Sequence, residues 1–444
     1  MNLFRRSDAF YLLAFFLVII SIGTGLLMLP VSWKGLSGEA ERLPLIDALF
    51  TAASAVCVTG LSSVNTAAFS RFGHIIIMLL IQIGGLGIIS FTSIILTIPG
   101  NRLPIRRMNT IRGFYVGGIE YNPRHIVRNI ILLTFCIEGL GALLLWFLFA
   151  SAGIETPFFM ALFHAVSSFC NAGFSPLQSN LEGLADNIPV ILVISLLIIC
   201  GGLGFIVLED LILTAAKKKK RLSYHSRVVL GMTALLLLGG TLVFFIVERT
   251  HAFSGMDVPA AAANALFQAV TPRTAGFDTV PQQLLSQPSK ILTSLLMIIG
   301  GAPGSIAGGL KVTTVFVILT VMLRRPDENG DIKIFRHRLG ASTINNGIVY
   351  FLKALLLLFI CTACLSFFEG LAGHDMGSIV FEVFSAFGTV GLTLGLTPQL
   401  SVPGKLVIIG AMFAGRVGLF ALAFPAIRRR NYDITYPEGS ILLG

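Results

Sequence analysis

Phe50-Thr51-Ala52-Ala53-Ser54-Ala55-Val56-Cys57-Val58-Thr59-Gly60-Leu61 is an apolar run that stops at a glycine before it could cross a bilayer. With the residues before it, the apolar part covers 45–57, well short of the ~20 residues a spanning helix needs. The same arrangement returns three times, as Phe163-His164-Ala165 before Gly173, Phe267-Gln268-Ala269 before Gly276, and Phe384-Ser385-Ala386 before Gly391. The four glycines stand at near-equal intervals along the chain. Four similar loops in one membrane chain can meet about one axis, the arrangement that lets backbone carbonyls replace a cation's water.

Composition places those loops in a membrane. The chain has 444 residues, 55% hydrophobic and 12% charged, with a mean hydropathy of +0.86. A soluble domain carries roughly a quarter charged residues, so a soluble enzyme is excluded. The apolar run near 10–29 follows Arg5 and Arg6, exceeds a signal peptide's h-region and lacks a small-residue cleavage site, and reads as a retained span. The net charge of +10 gathers at Arg5 and Arg6, in 102–128, in 217–227, in 324–338 and at Arg428 to Arg430. By the positive-inside rule these clusters and both termini are cytoplasmic, making a multi-pass protein of the cell's inner membrane. No aromatic-interleaved basic domain accompanies the charge, so nucleic acid is not a partner. All six cysteines lie in apolar segments, and the Cys361/Cys364 spacing, with no His nearby, reads as packing.

Between basic clusters one unit recurs. Outward helices fall near 8–30, 125–152, 224–248 and 344–370, and return helices near 72–99, 188–215, 290–323 and 403–427. The short segments between them, such as 45–57 and 157–169, read as re-entrant half-helices. Thr156 before Pro157, and Asp257 before Pro259, look like N-cap regions with Pro near the first turn. The fold class is therefore all-α and polytopic, with eight transmembrane helices and four re-entrant pore helices around a pseudo-fourfold pore. The repeats cover about 8–100, 124–216, 223–323 and 342–427, and 428–444 form a tail of one integral domain. Each unit crosses twice, so all share one orientation, unlike the inverted repeats of rocking transporters.

The breaks read Val58-Thr59-Gly60, Asn171-Ala172-Gly173, Thr274-Ala275-Gly276 and Thr389-Val390-Gly391. Glycine can take the φ that turns carbonyls inward and lets four backbones crowd an axis. The half-helices before these breaks aim partially negative C-termini at the same place, which favours a cation. The expected ligands are backbone carbonyls of these twelve residues, holding a dehydrated cation.

The third return segment is too long for one straight spanning helix. It contains Gly300-Gly301-Ala302-Pro303-Gly304-Ser305-Ile306-Ala307-Gly308-Gly309-Leu310-Lys311. So many glycines with a proline should unwind the helix into a flexible loop beneath the ring. Arg416 lies inside an apolar return helix. There its insertion costs at least ~2.5–3.5 kcal/mol, and it could hydrogen-bond carbonyls freed by that loop and raise the barrier to cations. Lys311 marks the loop's return towards the cytoplasm. Gly84-Gly85-Leu86-Gly87 and Gly201-Gly202-Leu203-Gly204 read as close-packing clusters, Glu138 and Lys353 as structural charges in outer helices, and His164 as a packed residue.

These four outer-helix, half-helix, glycine-loop and inner-helix units resemble the Trk/Ktr/HKT superfamily of potassium transporters over essentially the whole chain. The first repeat begins almost at residue 1, so the likeness is nearest to the Ktr membrane subunit (KtrB). The resemblance implies a filter at the four glycines, with potassium favoured because the first is glycine and not serine. Sodium is a possible modulator, and the 300–311 loop serves as an intramembrane gate together with Arg416. It also implies a homodimer joined through tails such as 428–444, and a cytosolic RCK-type ring (KtrA/KtrC-like) that binds ATP or ADP on this chain's behalf. Lipid is the remaining partner, and no covalently bound cofactor is expected. The rival readings are a secondary transporter for another cation or solute, sodium-selective HKT-like variants included, and a membrane enzyme, for which no catalytic cluster stands in a credible context.

Overall fold

The computed structural model describes residues 8–35, 42–97, 123–325, 327, 331–334 and 337–417. The expected dimer tail, the Arg428–Arg430 cluster and most of the 102–128 basic segment lie outside them. Four outer helices, α1 (Asp8–Leu27), α4 (Pro123–Ser151), α8 (Tyr224–Glu248) and α12 (Ala341–Glu369), each pack on a short helix that follows in sequence. Those short helices are α2 (Leu45–Cys57), α5 (Pro157–Phe169), α9 (Val258–Val270) and α13 (Met376–Gly388).

The return segments are α3 (Arg71–Thr97), α6 (Ile188–Leu203) with α7 (Phe205–Ala215), α10 (Gln287–Ile298) with α11 (Val312–Leu323), and α14 (Val402–Val417). Each packs against the short helix of the next repeat: α3 on α5, α6 on α9, α10 on α13, and α14 back on α2. The cycle closes.

Burial runs the opposite way from a soluble bundle. In α2, Phe50 and every residue from Ala52 to Cys57 are buried, while Leu140, Phe147, Leu238 and Phe359 on outer helices are more than 60% exposed. Spanning-length windows in α4, α8 and α12 have mean hydropathies of 2.2, 2.4 and 2.5, yet only 28%, 28% and 17% of each window is buried. Apolar side chains turned outward along that length belong against lipid.

Among the described residues, three helices are long and apolar enough to cross a membrane, and a fourth if α6 and α7 count as one bent span. The third return segment is divided into two helices of 12 residues each, neither of spanning length alone. Outer and return helices are tied at their far ends. The Glu248 carboxylate, fully buried, accepts from Ser286 N–H (3.0 Å) ahead of α10, and the Glu369 carboxylate accepts from Ser401 N–H (3.0 Å) ahead of α14. A carboxylate at a helix N-terminus faces the positive end of its dipole.

Two expectations need correction. The 188–215 return helix is not straight: α6 and α7 meet at 105°, with Gly204 between them at φ +84°. Thr156 and Asp257 do stand at the N-caps of α5 and α9 with Pro in the first turn, as expected, although neither side chain accepts a capping hydrogen bond. The fold is not purely helical either, because β1 (Ile332–Ile334) and β2 (His337–Leu339) form a small antiparallel hairpin between the third and fourth repeats.

Candidate functional site: a ring of four glycine loops

Each short helix ends by sending its chain through the same conformational sequence. Val58, Asn171, Thr274 and Thr389 are left-handed at φ +56°, +56°, +74° and +49°, and the glycines two residues later have φ +93°, +68°, +74° and +101°. A β-branched residue at positive φ is a strained choice, worth about 1–2 kcal/mol, and three of the four positions carry one. Hydrogen bonds to the helix just left behind offset that strain. Thr59 N–H donates to Ser54 O (2.8 Å), Ala172 N–H to Ser167 O (2.7 Å), Ala275 N–H to Thr271 O (2.9 Å) and Val390 N–H to Ser385 O (2.8 Å).

The loops meet in cyclic order. A Cβ on Gly60 would lie 2.5 Å from Ala172 O, and one on Gly173 would lie 2.7 Å from Ala275 O. A Cβ on Gly276 would collide with Val390 O, and one on Gly391 with Thr59 O, both still closer. Four carbonyl oxygens, those of Thr59, Ala172, Ala275 and Val390, thus occupy the places that four side chains would need. All twelve expected loop residues come together here. The Asn171 amide lies 3.3 Å from Thr274 Oγ1, linking two loops sideways. Among the described residues, the buried hydroxyls of Thr59 and Thr389 have no hydrogen-bond partner.

Below the ring, residues 299–311 leave the helix, and the structure holds them closely. Gly300 N–H donates to Leu310 O (2.8 Å) and Val312 N–H to Gly301 O (3.0 Å), closing the loop on itself. Lys311, immediately before α11, donates from Nζ to Ala307 O (2.6 Å), and Ser305 Oγ donates to Ala302 O (2.6 Å). A Cβ on Gly308 would strike the Thr389 side chain, and one on Gly309 would lie 3.4 Å from Gly388 Cα. The loop therefore touches the fourth repeat's bend directly.

The other three repeats clasp it. From the second repeat, Gly202 O accepts from Ala302 N–H (2.9 Å), Gly201 O from Ile306 N–H (3.3 Å), and Phe205 N–H donates to Gly304 O (3.2 Å). The amide and carbonyls freed where α6 breaks are thus taken up by the loop. From the fourth repeat, Arg416 Nη1 donates to Ile306 O, while its Nη2 donates to Gly84 O (2.7 Å) and Gly85 O (3.2 Å) of the first repeat. One guanidinium, 5% exposed, joins three repeats.

The glycine clusters at 84–87 and 201–204 do more than permit close packing. Gly84, Gly201 and Gly415 are each pressed against the carbonyl of a half-helix end, those of Val56, Phe169 and Phe387. The residue following each then faces the loop: Gly85, Gly202 and Arg416. The third repeat offers Gly300-Gly301 at the corresponding place. In the first, third and fourth repeats the dipeptide begins 24 residues after the ring glycine, and the arginine interrupts it in the fourth, a signal present in the sequence. Glu138 is paired with Gln82 Nε2 (3.1 Å). Both nitrogens of the buried His164 are engaged, by Met160 O (2.7 Å) and Ser175 Oγ (2.9 Å), as expected of a packed residue.

Comparison with known proteins agrees with this architecture. The TrkH family, described as cation transport protein, matches residues 4–431. The chain is 39% identical to the potassium/sodium uptake protein NtpJ of Enterococcus hirae, across 99% of this chain and 98% of that protein. It is 37% identical to the Ktr system potassium uptake protein B of Bacillus subtilis, across 97% and 95%. The crystal structure of the potassium transporter TrkH from Vibrio parahaemolyticus superposes with a TM-score of 0.74 at 21% identity, covering 95% of this chain and 86% of that one. That likeness bears on the fold alone.

Proposed function

The chain belongs to the TrkH family of cation transport proteins, and on that premise we propose that it is the potassium-translocating membrane subunit of a Ktr-type uptake system. It is a transporter, not an enzyme. The ring of Gly60, Gly173, Gly276 and Gly391 is read as its filter, where carbonyls replace potassium's hydration shell. The observation that carries this reading is cyclic closure, in which each glycine makes room for the next loop's carbonyl. Conduction runs down the membrane potential, worth about 2.3 kcal/mol per charge per 100 mV.

The 299–311 loop with Lys311 and Arg416 is read as the gate, supported by its contact with Thr389 and its clasp by the other repeats. A fixed positive charge directly below a cation site repels the next ion. The proposal extends to eight spans, both termini cytoplasmic, a homodimer through the 428–444 tail, and a cytosolic RCK-type partner that binds ATP or ADP. The uptake system named for the Bacillus subtilis relative supports a partner-dependent subunit. A second reading, in which sodium also permeates or modulates, is favoured by the name of the Enterococcus hirae relative.

Gly60→Ser tests the filter. A side chain there must displace the Ala172 carbonyl and sit at φ +93°. Expressed in cells lacking other potassium uptake, the variant should lose at least tenfold in the ratio of potassium to sodium uptake. Unchanged selectivity would remove the ring from the ion path.

A further inference from the structure

The apolar helix α11 ends on two outward side chains, Met322 and Leu323, which are 76% and 83% exposed. The chain then becomes extended at Arg324 (φ −134°, ψ 139°) and continues into Arg325. An apolar pair so exposed at the end of a membrane helix rests among acyl chains, so the residues that follow lie at headgroup depth. At that level Arg324, Arg325, Asp327, Asp331, Ile332 and Lys333 line a groove of roughly 350 Å³.

Of the acids of this groove, Asp331 is paired with a base and Asp327 serves the backbone. Asp331 Oδ1 accepts from Ala341 N–H (3.0 Å) at the start of α12, and its Oδ2 pairs with Arg338 Nη1 (2.9 Å). Asp327 Oδ1 accepts from Asp331 N–H (2.9 Å). The bases are not neutralised in this way. Arg324 donates to the Lys333 carbonyl (3.0 Å), and among the described residues Arg324, Arg325 and Lys333 form no ion pair with a carboxylate.

We propose that this groove binds the headgroup of an anionic phospholipid in the adjacent leaflet, its acyl chains lying along Met322 and Leu323. Arginine can grip a phosphate through two parallel donors, and lysine adds a point charge. Continuity between the apolar helix end and the cationic groove favours a lipid over a soluble partner, whose docking face would not need exposed acyl-facing side chains. A bound headgroup would anchor the far end of the helix that starts directly after the 299–311 loop.

The full chain, purified and placed in bilayers of phosphatidylcholine with or without phosphatidylglycerol, tests this by native mass spectrometry of retained lipid. The protein should keep phosphatidylglycerol selectively. Arg324→Gln, Arg325→Gln and Lys333→Gln should each weaken retention about fivefold, since one basic residue near a membrane surface contributes about 1 kcal/mol. Arg325→Lys should preserve most of it, and Lys218→Gln with Lys220→Gln, elsewhere in the chain, should change nothing. Thermal unfolding of each variant shows that it is folded. The site is overturned if folded triple variants retain phosphatidylglycerol like the parent, or if phosphatidylcholine is held equally. It is overturned as well if the cluster instead captures inorganic phosphate or a soluble protein with no lipid preference.

Discussion

In the first and fourth repeats, the hydroxyls of Ser54 and Ser385 accept from the N–H of the ring glycines Gly60 and Gly391 (3.0 and 3.1 Å). In the second and third, the hydroxyls of Ser167 and Thr271 donate to the carbonyl just beyond the glycine, that of Phe174 (2.8 Å) or Phe277 (2.7 Å). The return helices divide along the same line. The first repeat's α3 runs unbroken past Gly84-Gly85, and the fourth's α14 runs through Gly415-Arg416, whereas the second is bent at Gly204 and the third is open from 299 to 311. Fourfold repetition here produces a ring of near-equal bends above and two unlike pairs of supports below. One pair is stiff and the other jointed, and the joint is where the loop sits.

Arg416 joins the stiff pair to the jointed pair, so its removal should have the largest effect. Charge-assisted hydrogen bonds contribute about 1.5–3 kcal/mol each, and Arg416→Met removes three while deleting a charge from the path. Loss of ~3 kcal/mol from the closed arrangement should raise potassium or rubidium leak roughly a hundredfold, at about 1.4 kcal/mol per factor of ten. Flux measured in vesicles without any cytosolic partner reads this directly, and a leak equal to the parent's would detach Arg416 from gating.

Hydroxyl deletions probe the two wiring schemes. Ser54→Ala and Ser385→Ala leave a buried glycine N–H without an acceptor, at about 1–3 kcal/mol. Ser167→Ala and Thr271→Val take one donor from a carbonyl that retains a second lone pair, at about 0.5–1.5 kcal/mol. The potassium-to-sodium uptake ratio should fall about tenfold for the first two and about threefold for the others. Equal losses in all four would mean that the difference in wiring has no functional weight.

The smallest effect on selectivity belongs to Gly204→Ala. Its φ of +84° costs an L-residue about 1–2 kcal/mol, and the new Cβ would lie 3.0 Å from Pro303 O. Thermal unfolding in detergent should register a loss of that order with little change in selectivity. A stabilised variant would indicate that the bend at 204 is not held by the loop.

How far the sequence foretold all this depended on which interactions were local. The half-helices at 45–57 and 157–169 end where apolar length and the following glycine placed them, and the ring follows from four recurrences of one pattern. The unwinding at 299–311 was legible because Pro303 and its glycines act within a single turn. The bend at Gly204 was not, since an isolated glycine costs a helix only about 1 kcal/mol. It bends there because residues 302–306, a hundred positions away, supply partners for the backbone groups it frees. Arg416 was visible as a misplaced charge within reach of the loop's freed carbonyls, as its bond to Ile306 O bears out, but its acceptors Gly84 O and Gly85 O in the first repeat were not. The hairpin at 332–339 escaped notice because strands of three residues leave almost no periodicity to read.

Closure of the ring also constrains how the protein is made. The bend at Gly60 is complete only when the Gly391 segment arrives, and the Arg416–Gly84 bond spans 332 residues of chain. During synthesis the opening quarter must therefore wait in the bilayer, its bend held only by its own half-helix, until the closing quarter is threaded in. Contacts of such separation form late and slowly. A ribosome stalled after the third repeat would leave an open arc, its closing contacts to Thr59 and Gly84 unmade.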